Sequence, residues 1–276
     1  NGNLYDDYFS FTEGINHGLT PQEIFFYRFL IAYLGIWVIS PKRLFTNNWQ
    51  DELWLVAGGI FGGSLYFFTE NTALGITQAS NVSFIICTAP LLTTILSLLF
   101  YKSEKASKGL IYGSLLALMG VGLIVFNGSF VLKISPIGDL LTLLAALSWA
   151  FYSLIIKKMA RRYPTVFITR KIFFYGVLTI LPAFLLHPLQ PDTAVLLQPA
   201  VLFNLLFLAV LASLICYVLW NVVLKQLGTV RASNYIYLNP LVTMIASFLI
   251  LDEKITLVAL GGAACIVCGV YWAEKK

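Results

Sequence analysis

The stretch Leu74-Gly75-Ile76-Thr77-Gln78-Ala79-Ser80-Asn81 recurs later in the chain as Leu227-Gly228-Thr229-Val230-Arg231-Ala232-Ser233-Asn234. Other landmarks repeat around it in the same order. Ala89-Pro90-Leu91 matches Asn239-Pro240-Leu241, and Ser103-Glu104-Lys105 matches Asp252-Glu253-Lys254. Gly113 and Gly120 match Gly262 and Gly269, and upstream Pro21 and Arg28 match Pro164 and Arg170. Self-similarity at a nearly constant separation marks an internal duplication. Two unrelated apolar segments would not keep this order of polar and glycine positions.

What is duplicated is apolar. Hydrophobic residues make up 59% of the chain and charged residues 11%, and the mean hydropathy is +0.83. A globular chain has about 25% charged residues, so a soluble fold of this sequence could not cover its surface. About 20 mostly apolar residues cross the hydrocarbon core as a helix. Such runs occur at about 24–40, 53–75, 81–101, 109–127, 137–156, 165–187, 200–224, 234–251 and 256–273. They are continuous rather than alternating, which excludes membrane strands. The fold class expected is an all-α integral membrane protein.

Charge sets an expected orientation. Basic residues cluster in alternate connections: Lys42 and Arg43; Lys102, Lys105 and Lys108; Lys157, Lys158, Arg161 and Arg162; Lys225 and Arg231. Lys275 and Lys276 end the chain, whereas the intervening connections carry only Lys133 and Lys254. By the positive-inside rule the clustered set and the C-terminus face the cytoplasm. The net charge of +5 is therefore a topology signal, and no nucleic-acid partner is expected. Residues 1–20 lack the charged start and apolar core of a secretory signal.

The two copies then lie in opposite senses. Glu104-Lys105 falls on the cytoplasmic side and the matching Glu253-Lys254 on the outer side, as an odd number of helices per copy requires. The expected boundaries are residues 1–133 for the first copy and 134–276 for the second. The second shows five runs, the first four. The counterpart of the 137–156 helix belongs before Pro21, where Asp6, Asp7, Glu13, Asn16 and His17 stand. The first helix is expected to be missing or altered.

These landmarks resemble the EamA-type family of the drug/metabolite transporter superfamily, over about residues 19–276. The resemblance rests on the Pro-to-Arg spacing at 21–28 and 164–170, Ala73-Leu74-Gly75, Pro90 and Pro240, Asp252-Glu253-Lys254, and Ser148-Trp149-Ala150 leading to Lys157. It implies a ten-helix fold of two inverted five-helix repeats with both termini cytoplasmic, and usually export of amino acids or other small metabolites. The mechanism expected is alternating access, by rocking of the two halves around a midplane site, in the cell (inner) membrane. The counterpart of Trp149 in the first copy falls near residue 7, where Asp6 and Asp7 depart from the pattern.

Candidate site residues follow from polarity at membrane depth. Interrupted helices in matching positions of inverted repeats point to a midplane substrate site. Pro90 and Pro240 fit, since each removes a backbone donor and obstructs the preceding turn; the other reading is a packing kink. Glu70 is the sharpest single residue, because an intramembrane carboxylate normally faces a cavity or a partner. It could bind a substrate ammonium or exchange a coupling proton, or it could hydrate at the outer interface. Tyr66, one turn earlier, shares its face, and Asn71 follows it. Arg28 is a candidate partner for Glu70 or for a substrate carboxylate, or an anchor at headgroup level. Arg170 reads as part of the cytoplasmic basic belt. Trp149 and Tyr152, Tyr217 and Asn221, and Tyr237 and Asn239 could wall a pocket for a modest organic molecule, or form interface belts and lipid-facing packing. Asn81 and Asn234 read as helix caps.

Other patterns read as structural. The spacing in Gly58-Gly59-Ile60-Phe61-Gly62-Gly63 permits close helix contact, expected within one chain. Cys265-Ile266-Val267-Cys268 has no His or acidic companion for a metal, and no cofactor is expected. Only His17 and His187 are present, with neither HExxH nor a nucleophile elbow, so an enzyme is not expected. The alternative to a transporter is a non-transporting membrane protein, a sensor or assembly partner. The expected partners are the lipid bilayer, a small-molecule substrate and protons. Oligomeric state is not legible.

Overall fold

Thr20 shows how the first helix starts. Its side chain accepts from the Glu23 amide at 3.3 Å, while Glu23 Oε2 accepts from the Thr20 amide at 2.8 Å. That reciprocal capping box, with Pro21 in the first turn, satisfies amides that would otherwise be orphaned. In this computed structural model the described residues are 19–41, 45–46, 48–101, 107–126, 135–186, 189, 193–251 and 255–275. The expectation of a missing or altered first helix falls on residues 1–18, outside the described residues. So do the Glu104-Lys105 and Glu253-Lys254 landmarks.

Each of the nine apolar runs is a helix. They are α1 (Pro21–Ile39), α2 (49–74), α3 (Ala79–Phe100), α4 (Lys108–Phe126), α5 (Pro136–Met159), α6 (Thr165–Ile180), α7 (Pro199–Leu227), α8 (229–251) and α9 (Leu257–Glu274). No strand occurs among the described residues. Seven of these segments, with α6 extended to Leu185, are long and apolar enough to cross a membrane. The chain is a multi-pass membrane protein. Large apolar side chains lie on its exterior, among them Val38, Leu99, Phe203, Leu249 and Tyr271. In water such a surface would aggregate; in lipid it is matched. Two helices begin earlier than their apolar runs. Asp51 and Glu52 belong to α2, and 229–233 belong to α8; tertiary contacts bury Asp51, Thr229 and Ser233 and half-bury Glu52.

Four helices are interrupted. In α2 the backbone is π-helical over Ile60–Ser64, and in α7 over Phe207–Ile215. In α3 the helix stops at Ile86, turns through Cys87 and Thr88, and restarts at Ala89. In α8 a 3-10 turn, Tyr235–Leu238, precedes a restart at Asn239. Pro90 and Pro240 each stand second in the restarted segment, where a missing N–H costs nothing. The π segments occupy corresponding helices of the two sequence copies.

The chain forms two compact units, and neither is a sequence copy. The first takes residues 72–150 and 227–275: α3, α4, most of α5, α8 and α9. Here α4 and α9 meet along a glycine seam. A Cβ on Gly113 would stand 2.5 Å from the Gly269 carbonyl oxygen, and one on Gly120 2.5 Å from that of Gly262. The repeat landmarks are thus the contact itself. Beside the seam Cys87, Ala117, Val121, Tyr237, Ile266 and Val270 form an apolar cluster.

The second unit takes residues 19–71 and 151–226: α1, α2, the end of α5, α6 and α7. In it α1 packs on α6 and on the π segment of α7, and α2 packs on α6. Gly59 lets Tyr175 and Gly176 of α6 approach α2, as the glycine spacing led us to expect within one chain. In each unit, then, corresponding helices of the two copies touch: α4 with α9, and α1 with α6.

Candidate functional site

The interior of the second unit is aromatic with polar links. Phe29 lies edge-on to Phe173 and to Tyr217, with ring centroids 5.0 and 5.7 Å apart, and Tyr217 is 6.0 Å from Tyr152. Tyr152 is fully buried and donates to Asn221 Oδ1 at 2.8 Å. Asn221, also fully buried, donates from Nδ2 to Thr169 Oγ1 at 2.9 Å, and Thr169 donates back to the Thr165 carbonyl. Tyr217 donates to the Gly62 carbonyl at 2.6 Å. A buried polar group is stable only when partnered, and this chain partners α5, α6 and α7 in turn. Tyr152, Tyr217 and Asn221 are therefore brought together as one network.

A charged group adjoins the same aromatic core. Arg28 is buried in α1, and its Nε donates to Ser213 Oγ at 2.9 Å. Its guanidinium carbon sits 4.6 Å from the Phe67 ring centroid, a cation–π contact. Ser213 lies in the π segment of α7 and contributes its hydroxyl to the charge. Tyr66 donates to Glu70 Oε1 at 2.9 Å, and Glu70 lies within electrostatic reach of Arg28. Asn71 is half-buried next to Glu70. The site offers a fixed cation, a carboxylate and neutral donors within one apolar surround.

The start of α2 carries a second ionic cluster that the sequence reading missed, roughly 27 Å from Glu70 at 1.5 Å per residue. Lys171 on α6 is buried and pairs with Glu52, which also accepts from the Tyr175 hydroxyl. Thr46 donates to Glu52 Oε2 from its hydroxyl at 2.7 Å. Arg162 Nη1 lies 2.6 Å from Asp51 Oδ1, and Tyr163 donates to Asp51 Oδ2 at 3.0 Å. Arg170 is buried and donates to the Ser40 carbonyl, so it is a structural tie rather than part of a surface belt. The available signal was an acidic pair, Asp51-Glu52, opening one apolar run and a lysine inside another.

The remaining candidates lie in the first unit. Pro90 and Pro240 are buried at the restarts described above, and Trp149 is half-buried on α5. Tyr237 is fully buried in the apolar cluster, while Asn239 is exposed. Asn81 and Asn234 are not caps. The N-cap positions belong to Gln78 and Gly228, and both asparagines are buried inside the first helical segments. Gly228, at φ 81, turns the chain tightly enough to start α8 several residues early. No group of three or more His, Cys, Asp or Glu that could hold a metal occurs among the described residues.

Comparison with known proteins agrees with this architecture. The profile of the EamA-like transporter family matches residues 8–126 and again 136–273. An uncharacterized transporter of Archaeoglobus fulgidus is 30% identical over 262 residues, covering 94% of this chain and 89% of that protein. A probable amino-acid metabolite efflux pump of Escherichia coli is 23% identical, covering 92% of this chain and 86% of the relative. A crystal structure at 17% identity superposes with a TM-score of 0.78, covering 98% of this chain and 93% of the other, and shows the same fold. The chain belongs to the EamA-like transporter family.

Proposed function

We propose that this membrane transporter exports small zwitterionic metabolites, amino acids among them, by alternating access. The observation that carries the reading is that Arg28 and Glu70 share one aromatic surround: the guanidinium sits over the Phe67 ring, Tyr66 lies edge-on to Phe67 at 5.0 Å, and Tyr66 donates to Glu70. A guanidinium held by Ser213 and Phe67 suits a carboxylate, and a carboxylate within its reach suits an ammonium. An ionisable residue within a membrane helix is a functional-site signature, and here two of opposite charge adjoin one aromatic core. The relatives named probable amino-acid metabolite efflux pumps in Escherichia coli and Salmonella typhimurium, at 23% and 26% identity, favour the same substrate class.

In this reading the chain is built from two inverted repeats, residues 1–133 and 134–276, of the ten-helix type. The C-terminus is cytoplasmic and the membrane is the cell (inner) membrane. The two matched π segments, in α2 and α7 of the unit that holds Arg28 and Glu70, supply the interrupted helices that such sites use. Glu70 also serves as the coupling carboxylate, exchanging a proton as substrate leaves.

Proteoliposomes loaded with a labelled amino-acid mixture test this. Efflux from liposomes holding the wild-type chain is expected to depend on pH, and Glu70→Gln is expected to lose that dependence with at least a tenfold drop in rate. Arg28→Lys, which keeps charge but loses the planar fork, is expected to raise the half-saturating substrate concentration. Unchanged efflux and pH dependence in Glu70→Gln would remove Glu70 from both roles.

A further inference from the structure

In the first unit α3 and α9 end where α4 and α8 begin, and the gap between them is a cavity of about 310 Å³. Its polar lining includes Thr94, Ser107, Thr229, Arg231, Glu274 and Lys275. Arg231 Nε lies 3.7 Å from Glu274 Oε2. The other carboxylate oxygen, Glu274 Oε1, is buried and has no hydrogen-bond partner. Thr229 is fully buried, and its hydroxyl is likewise unpartnered. An orphaned buried polar atom calls for a ligand, an ion or water.

The chemistry of these orphans restricts the ligand. A carboxylate oxygen only accepts, so its missing partner is a donor. Arg231 and Lys275 bring two positive charges against the one carboxylate, which leaves a place for an anionic oxygen. A ligand that fits carries an N–H-bearing cation and an anion joined by a short linker. The surroundings select among such ligands. Leu98, Leu110 and Leu227 line the same cavity, and Leu99, Phe100, Tyr271 and Trp272 are exposed beside it on the same helix ends. Tyr and Trp at the end of a membrane helix mark headgroup level, and basic pockets between helices at that level take lipid headgroups.

We propose that this cavity binds the headgroup of an aminophospholipid. The phosphate lies against Arg231 and Lys275, the primary ammonium donates to Glu274 Oε1, and Thr229 donates to a phosphate oxygen. The acyl chains run along Leu99, Phe100, Tyr271 and Trp272. None of these residues belongs to the Arg28 and Glu70 set, and the test needs no transport.

Delipidated protein in detergent, titrated with phosphatidylethanolamine, phosphatidylcholine or phosphatidylglycerol and read by native mass spectrometry and thermal shift, decides it. Phosphatidylcholine has no N–H and phosphatidylglycerol has no cation. Phosphatidylethanolamine is expected to bind about tenfold more tightly than either, the worth of one charge-assisted hydrogen bond. Glu274→Gln should erase that preference while keeping phosphate binding, and Arg231→Gln with Lys275→Gln should weaken all three lipids. Thr229→Val, which changes one hydroxyl for a methyl, gives an independent variant should Glu274→Gln fold poorly; it should weaken all three lipids while keeping the preference for phosphatidylethanolamine. Equal binding of the three lipids to the wild type would overturn the proposal. Protection by free leucine as great as that by phosphatidylethanolamine would overturn it as well, since the site would then take soluble zwitterions.

Discussion

The hydroxyl of Tyr217 donates to the backbone carbonyl of Gly62 at 2.6 Å, and that carbonyl lies within a π-helical segment. Gly62 has no side chain to spare there. A Cβ at this position would stand 2.2 Å from Cδ2 of Tyr152. One residue of α2 therefore receives a hydroxyl from α7 and the ring of a tyrosine on α5. The π distortion and the glycine serve the same contact.

Gly62→Ala is expected to destabilise the fold by about 1–3 kcal/mol, the usual cost of overpacking. Tyr217→Phe keeps the ring and loses one buried bond, worth about 0.6–1.7 kcal/mol between membrane helices. Thermal unfolding followed by size-exclusion chromatography in detergent ranks them. Wild-type stability in Gly62→Ala would mean that Tyr152 can yield.

The ionic cluster at the start of α2 predicts strong coupling. Lys171 is buried and its partner Glu52 is mostly so. Removing one member of a buried pair strands the other, at about 3–5 kcal/mol, whereas replacing both with apolar or neutral groups costs far less. Lys171→Met should therefore destabilise more than Lys171→Met combined with Glu52→Gln. A double-mutant cycle on unfolding midpoints checks the sign; additive effects would show that the two do not act as a pair.

How much of this was legible in the sequence depends on the range of the cause. Pro90 and Pro240 mark helix restarts because proline lacks a donor, which is a local property. Gly113, Gly120, Gly262 and Gly269 stood out as repeated landmarks, and their repetition reflects a seam where both helices need bare backbone. Tyr66 with Glu70 was readable from helical spacing alone. The π segments were not, since Gly58 to Gly63 signals closeness without saying what approaches. Lys171 was missed because its burial depends on Glu52, far away in the chain. Asn234 was misread as a cap because the start of α8 is set by Gly228 and by contacts that bury the polar turn.

Buried polar continuity gives a further test at Asn221. It accepts from Tyr152 and donates to Thr169. Asn221→Leu fills the space but strands the Tyr152 hydroxyl, so it is expected to cost about 1–3 kcal/mol. Adding Tyr152→Phe removes the stranded group and should return part of that loss. A double variant no more stable than Asn221→Leu would show that the hydroxyl finds another partner.

The seam between α4 and α9 separates two glycines on one helix. A Cβ on Gly269 would meet the Ala117 backbone nitrogen at 2.5 Å, while one on Gly261 would meet nothing within 4 Å. Backbone cannot rotate away as a side chain does, so Gly269→Ala must push the helices apart along the whole contact. Its cost is expected to reach about 3 kcal/mol, the upper range for overpacking. Gly261→Ala pays no such cost and gains helix propensity, about 0.5–1 kcal/mol. The two substitutions make the same chemical change, so composition cannot explain a difference in midpoint. Opposite shifts in unfolding temperature identify close backbone approach as the reason for glycine at 269, and equal shifts would refute it.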